Sequence, residues 1–182
     1  MQTFVVYVED LPGVLNRVAS LFRRRAFNIA SLTVGHTERP GISRMTIAVD
    51  TDELGARRVE AHLRKLVPVR GVENISRVPV IVRDLAMIKV SAAGADRAHV
   101  MQLVDVFRAR VVDVGPETLV IETTGTEDKI DSLLEVLRPY GIIEMVRTGR
   151  VAMSRGATGR GRDTESEAAI NAPIEDIGGM SV

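Results

Sequence analysis

The residues best suited to chemistry lie in one short turn, Glu9-Asp10-Leu11-Pro12-Gly13-Val14-Leu15. It sits between an apolar strand-like run and an amphipathic helical pattern. As local folding chemistry, Asp10 or a neighbour caps the helix, Pro12 pre-sets a helical φ, and Gly13 relieves crowding. The same turn can also bind. The first turn of a helix offers unpaired backbone N–H groups and the positive end of the dipole, which suit a carboxylate. Gly13 leaves that backbone open to a small ligand, and the Asp10 carboxylate can hold an ammonium group. A free amino acid carries both charges.

No catalytic constellation accompanies this turn. The three histidines, His36, His62 and His99, have no metal-ligand spacing and read as structural or surface residues. No GxSxG, no Walker A and no GxGxxG after a strand is present. The Gly-rich stretch Gly156-Ala-Thr-Gly159-Arg-Gly161 follows no strand and reads as linker. With no cysteine there is no thiolate nucleophile, disulfide or Cys-ligated metal. The expectation is a chain without a catalytic site and without metal.

Composition narrows the class further. The 182 residues hold 24 Lys plus Arg and 24 Asp plus Glu, so no overall basic field points to bulk nucleic acid. Arg23-Arg24-Arg25 closes the first helical pattern, where cations favour the helix C-terminus; a partner contact is the functional reading. RNA binding on a sheet needs aromatic platforms, and the chain has two Tyr, four Phe and no Trp. No apolar run reaches the ~18–20 residues of a membrane span. Strand-like sequence from Thr3 leaves no room for a signal peptide. A cytoplasmic globular protein is expected.

Residue patterning predicts the elements that position the turn. Thr3 to Val8 reads as a strand, and Val14, Leu15, Val18, Leu21 and Phe22 form the apolar stripe of a helix ending near Ala26. Asn28–Thr37 and Arg44–Val49 read as strands, the second alternating polar and apolar. Thr51 or Asp52 can cap a helix carrying Val59, Leu63 and Leu66. A fourth strand is expected from about Val69 to Val82, broken by Gly71 and Pro79.

The same order then repeats. Leu85–Val90 is a strand; Val100, Leu103, Val104 and Phe107 mark a helix; Val111–Val114 and Thr118–Thr123 are strands. Ile130, Leu133, Leu134 and Leu137 mark a helix that Thr126 can cap, and Ile142–Val146 closes the set. The predicted class is α+β, with two tandem ferredoxin-like βαββαβ units. The expected domains are residues 2–80 and 84–153, with a boundary near Val82-Arg83-Asp84. Residues 154–182, with five Gly and no aromatic, are expected to form a disordered tail.

The turn Asp10-Leu-Pro-Gly13-Val-Leu15 in this setting resembles the ligand turn of ACT domains. The longer run Pro12-Gly-Val-Leu-Asn-Arg17-Val-Ala-Ser-Leu-Phe22 is more specific, as is Phe27-Asn28-Ile29-Ala-Ser31-Leu32-Thr-Val34-Gly35. With Ser43–Ile47, Leu63–Val69, Arg83–Ala86 and Phe107–Val114, they resemble the small regulatory subunit of acetolactate synthase (acetohydroxyacid synthase). The resemblance covers roughly residues 2–155.

It implies an N-terminal ACT domain, an ACT-like C-terminal domain and a homodimer through the ACT domains, with valine as effector between chains. Asp10, Gly13, Val14, Leu15, Asn28 and Ile29 occupy the family's effector positions. It implies activation of a separate catalytic subunit in valine, leucine and isoleucine biosynthesis, which would carry thiamine diphosphate, Mg and FAD. The chain departs from the family twice: Asp10 stands where many relatives have Asn, and Ala26 replaces a Gly, leaving the first helix without its left-handed glycine cap. A free-standing ACT amino-acid sensor acting on a different partner is the alternative.

Overall fold

The computed structural model describes residues 1–156. The expected disordered tail therefore lies, except for its first three residues, outside the described residues. Two compact units form: Met1–Ile81 together with the residues from Ala152, and Val82–Val151.

The first unit contains β1 (Gln2–Glu9), α1 (Val14–Arg24), β2 (Ile29–His36), β3 (Ile42–Val49), α2 (Glu53–Leu63) and β4 (Val69–Asn74). Its sheet runs β2-β3-β1-β4, all neighbours antiparallel. Phe4, Val6 and Val8 alternate along β1, and Met45, Ile47 and Val49 along β3. They present one apolar face to Val14, Val18, Leu21 and Phe22 of α1 and to Ala56, Val59 and Leu63 of α2. Period-two strands meeting a 3.6-period helical stripe build this core. Leu15 falls in the sequence stripe but is 46% exposed, because it lies at the margin of the packed face.

The second unit repeats the plan with β5 (Val80–Ser91), α3 (Asp96–Val106), β6 (Arg110–Val114), β7 (Thr118–Gly125), α4 (Glu127–Leu137) and β8 (Ile142–Arg147). Its order, β6-β7-β5-β8, matches the first sheet position for position. Two tandem ferredoxin-like βαββαβ units are therefore the fold. Ala86, Ile88 and Val90 of β5 and Leu119 and Ile121 of β7 pack on Val100, Val104, Ile130, Leu133 and Leu137. Asp84 is buried at the start of this sheet, where the Arg147 Nε and Nη2 both donate to its Oδ2, at 3.0 and 2.7 Å.

Four details differ from expectation. The predicted strand Val69–Val82 is two elements: β4 ends at Asn74, whose side chain accepts from the Ser76 N–H in a tight turn, and β5 starts at Val80. The division between the two units, at Ile81–Val82, lies within β5, next to the boundary expected near Val82–Asp84. A short strand, β9 (Val151–Ser154), pairs with β5 within residues read as domain end and tail. Thr126 occupies the N-cap of α4 but makes no side-chain cap, whereas Asp52 does cap α2, accepting from the Gly55 N–H at 2.7 Å.

The end of α1 is the fourth. Ala26 itself adopts the left-handed conformation, φ +56°. Phe27 N–H donates to the Phe22 C=O and Ala26 N–H to the Arg23 C=O, the paired bonds of a Schellman cap. Arg108, φ +50°, closes α3 the same way, with Ala109 N–H on Val104 and Arg108 N–H on Asp105. Satisfying the last helical carbonyls holds both residues where glycine is the usual occupant.

Candidate functional site

The turn after β1 is built by backbone requirements. Val14 N–H donates to the Leu11 C=O at 3.3 Å. Between them Pro12 takes the second position of the turn and Gly13 the third, with φ +82° and ψ −4°. That is a type II turn, whose third position needs positive φ and therefore favours glycine. Gly13 is also the N-cap of α1, its C=O accepting from Arg17 N–H at 3.0 Å, and no side chain caps the helix. A Cβ added at Gly13 would meet no atom within 4 Å, so the space over this backbone is open.

Asp10 does not cap α1. Its N–H donates to the Gly41 C=O at 2.8 Å, which ties the turn to the start of β3. Its carboxylate turns to the other side: Ser43 Oγ donates to Oδ1 at 3.2 Å, and His36 Nδ1 lies 3.3 Å from Oδ2. The neighbouring Glu9 pairs with Arg70 of β4, both side chains largely buried, and anchors the strand end on its other flank. His36, read from sequence as structural or surface, is thus part of the Asp10 cluster, as is Ser43. Only the β2–β3 register, which pairs His36 with Ser43, brings them there.

The six residues singled out by sequence separate into two groups. Asp10, Gly13 and Leu15 are exposed around the turn, while the Val14 side chain, 5% exposed, belongs to the core and offers a ligand only its backbone. Asn28 is exposed just before β2, and Ile29 is half-buried against the core. In the sheet Ile29 pairs with Val49 whereas His36 pairs with Ser43. Seven strand steps, about 23 Å at ~3.3 Å per residue, therefore separate Ile29 from the Asp10 turn within one chain, with Asn28 one step beyond. β2 that links them is the edge strand of the sheet. Among the described residues no group of three or more His, Asp or Glu gathers as a metal site, and no helix is long and apolar enough to cross a membrane.

Comparison with known proteins fits this arrangement into a family. Residues 4–71 match the family model described as an AHAS small subunit-like ACT domain, and residues 83–156 match the model for the small subunit of acetolactate synthase. A probable acetolactate synthase small subunit from Archaeoglobus fulgidus is 49% identical over 154 residues, covering 85% of this chain and 96% of that relative. The chain belongs to the acetolactate synthase small-subunit family. The Mycolicibacterium smegmatis acetolactate synthase small subunit is 47% identical, over 87% of this chain and 94% of its own. The crystal structure of the Thermotoga maritima small subunit superposes with a TM-score of 0.81 at 39% identity, covering 85% of this chain and 97% of that one. Membership in the small-subunit family makes the chain a regulatory subunit and implies a catalytic large subunit as its partner.

Proposed function

We propose that this small subunit activates the thiamine-diphosphate-dependent catalytic subunit of acetolactate synthase and makes it sensitive to valine. The partner, a transferase, would carry the thiamine diphosphate, Mg and FAD and join two pyruvates, or pyruvate and 2-oxobutyrate. Both proteins would act in the cytoplasm.

One observation supports the valine site: the two halves of the proposed effector set lie at opposite ends of β2, the edge strand of the sheet among the described residues. Two copies that join their β2 edges antiparallel about a two-fold axis bring one copy's Asn28 and Ile29 beside the other copy's Asp10 turn. Such pairing also satisfies the exposed β2 edge. In that setting the backbone amides at Gly13–Leu15 meet the effector carboxylate, Asp10 meets its ammonium, and Asn28 supplies a further polar contact. Leu15 and Ile29 bracket the branched side chain. Valine inhibits to the extent that it binds one arrangement of the paired units more tightly than another.

The test is acetolactate formation from pyruvate by the catalytic subunit of the same organism, with and without this chain, across a valine titration. Activation reversed by valine is expected. Activation without reversal would remove valine from the proposal. No activation, with an amino acid still bound, would assign the chain to the free-standing sensors.

A further inference from the structure

The surface of α1 is unusual in charge. It carries Arg17, Arg23 and Arg24, is followed by Arg25, and contains no acidic residue. Arg17, Ser20 and Arg24 line one wall of a shallow groove of about 370 Å³ whose other wall is Lys65, Leu66 and Val67. Elsewhere in the first unit Arg39, Arg57, Arg64, Arg70 and Arg77 all pair with carboxylates. Among the described residues Arg17, Arg24 and Lys65 have no such partner, and Val67 is 87% exposed. A cationic rim around an apolar wall suits an acidic polypeptide with interspersed apolar side chains. The groove is too open to bury the 70–90% of its surface that a small ligand requires.

The chain supplies such a segment itself. Residues 163–182 contain Asp163, Glu165, Glu167, Glu175 and Asp176, no Lys or Arg, and the apolar Ile170, Ile174 and Ile177. Because the whole chain is neutral, everything before Asp163 carries a matching positive excess. The path is short enough. Arg155 N–H donates to the Pro79 C=O at 2.8 Å, so the chain leaves β9 beside Pro79. Two residues away, Arg77 pairs with Glu53 at the start of α2. Lys65 lies just past the other end of that helix, about 16 Å along its axis. Eleven residues from Gly156 to Glu167 span up to ~40 Å, which covers the two residues to Arg77, its bridge to Glu53 and the length of the helix. Tethering of this kind gives an effective concentration on the order of millimolar, so a weak contact suffices. The family models end at Gly156, so the contact would be an addition to the matched small-subunit architecture.

We propose that residues 163–177 dock intramolecularly in this groove, their carboxylates against Arg17, Arg24 and Lys65 and their isoleucines against Leu66 and Val67. The docked segment covers this face of the ACT unit at low ionic strength and leaves it as salt rises.

Carbodiimide coupling of the full chain, which joins a lysine amine to a carboxylate only in direct contact, tests this. In about 0.02 M salt a peptide joining Lys65 to residues 163–176 is expected by mass spectrometry, falling about five-fold or more in ~0.5 M salt, where screening shortens the range of the attraction. The same fall is expected in Arg17→Gln/Arg24→Gln, whose exposed substitutions leave the circular dichroism unchanged. Absence of the linked peptide at low salt, or its persistence in the double variant, overturns the proposal. Linkage between labelled and unlabelled copies in a mixed sample would place the segment on a second molecule and overturn it equally.

Discussion

His36 Nδ1 lies 3.3 Å from the Asp10 carboxylate, joining the last residue of β2 to the turn that opens α1. Both side chains are open to solvent, at 85% and 46% exposure, so the pair adds at most ~1 kcal/mol to folding. Its significance is positional. With Ser43 it holds the carboxylate toward the end of the β2 edge instead of over the helix N-terminus.

Asp10→Ala should therefore leave stability nearly unchanged and weaken valine binding about ten-fold or more, the loss of one hydrogen bond to a charged group, worth ~1.5–3 kcal/mol. Isothermal titration with valine reads this directly. An unchanged dissociation constant would place the effector ammonium on another group.

Gly13→Asp should abolish the valine response while leaving activation of the catalytic subunit. No atom opposes a Cβ there, so the folding cost is that of holding φ at +82°, about 1–2 kcal/mol. The added carboxylate would face the effector's own. A variant inhibited at ordinary valine concentrations would sink the placement of the carboxylate at this turn.

Ala26→Gly and Arg108→Gly should each stabilise the protein by about 0.5–1 kcal/mol, because glycine adopts positive φ without the Cβ penalty. Part of that gain is offset by the greater entropy of glycine in the unfolded chain. The two sites lie in different units and share no partner, so urea denaturation of the double variant should give nearly additive shifts.

Arg147→Met should cost about 3 kcal/mol, since it strands Asp84 as a buried carboxylate. Burial alone would lower the Arg147 pKa, but hydrogen bonding and charge from Asp84, with a further contribution from Asp131, outweigh it and raise it. Replacing both partners, Asp84→Leu with Arg147→Met, should recover much of the loss. Chemical denaturation of the two variants decides it: a double variant no better than the single would mean that packing, not stranded charge, sets the cost.

Much of this protein is local and so was legible in residue order. Strand alternation at Arg44–Val49, the stripe Val14, Val18, Leu21 and Phe22, and Pro-Gly at the turn are statements about three to eight consecutive residues. Backbone sterics and burial act at that range, and the tandem βαββαβ plan follows. Other features depend on partners distant in the chain. Val151–Ser154 is too short to declare itself a strand and becomes one by pairing with β5. Ala26 looked like a lost cap, yet the carbonyls of Phe22 and Arg23 hold it in the left-handed region. The family resemblance implies that Asp10 and Asn28 serve one site, whereas strand register sets them at opposite ends of β2 and brings His36 and Ser43 to Asp10. Sequence determined the strands, the helices and the Pro-Gly turn that opens α1, because composition and turn geometry are local. Tertiary structure decided which of them meet, because register is set by hydrogen bonds between strands whose spacing along the chain no local pattern encodes.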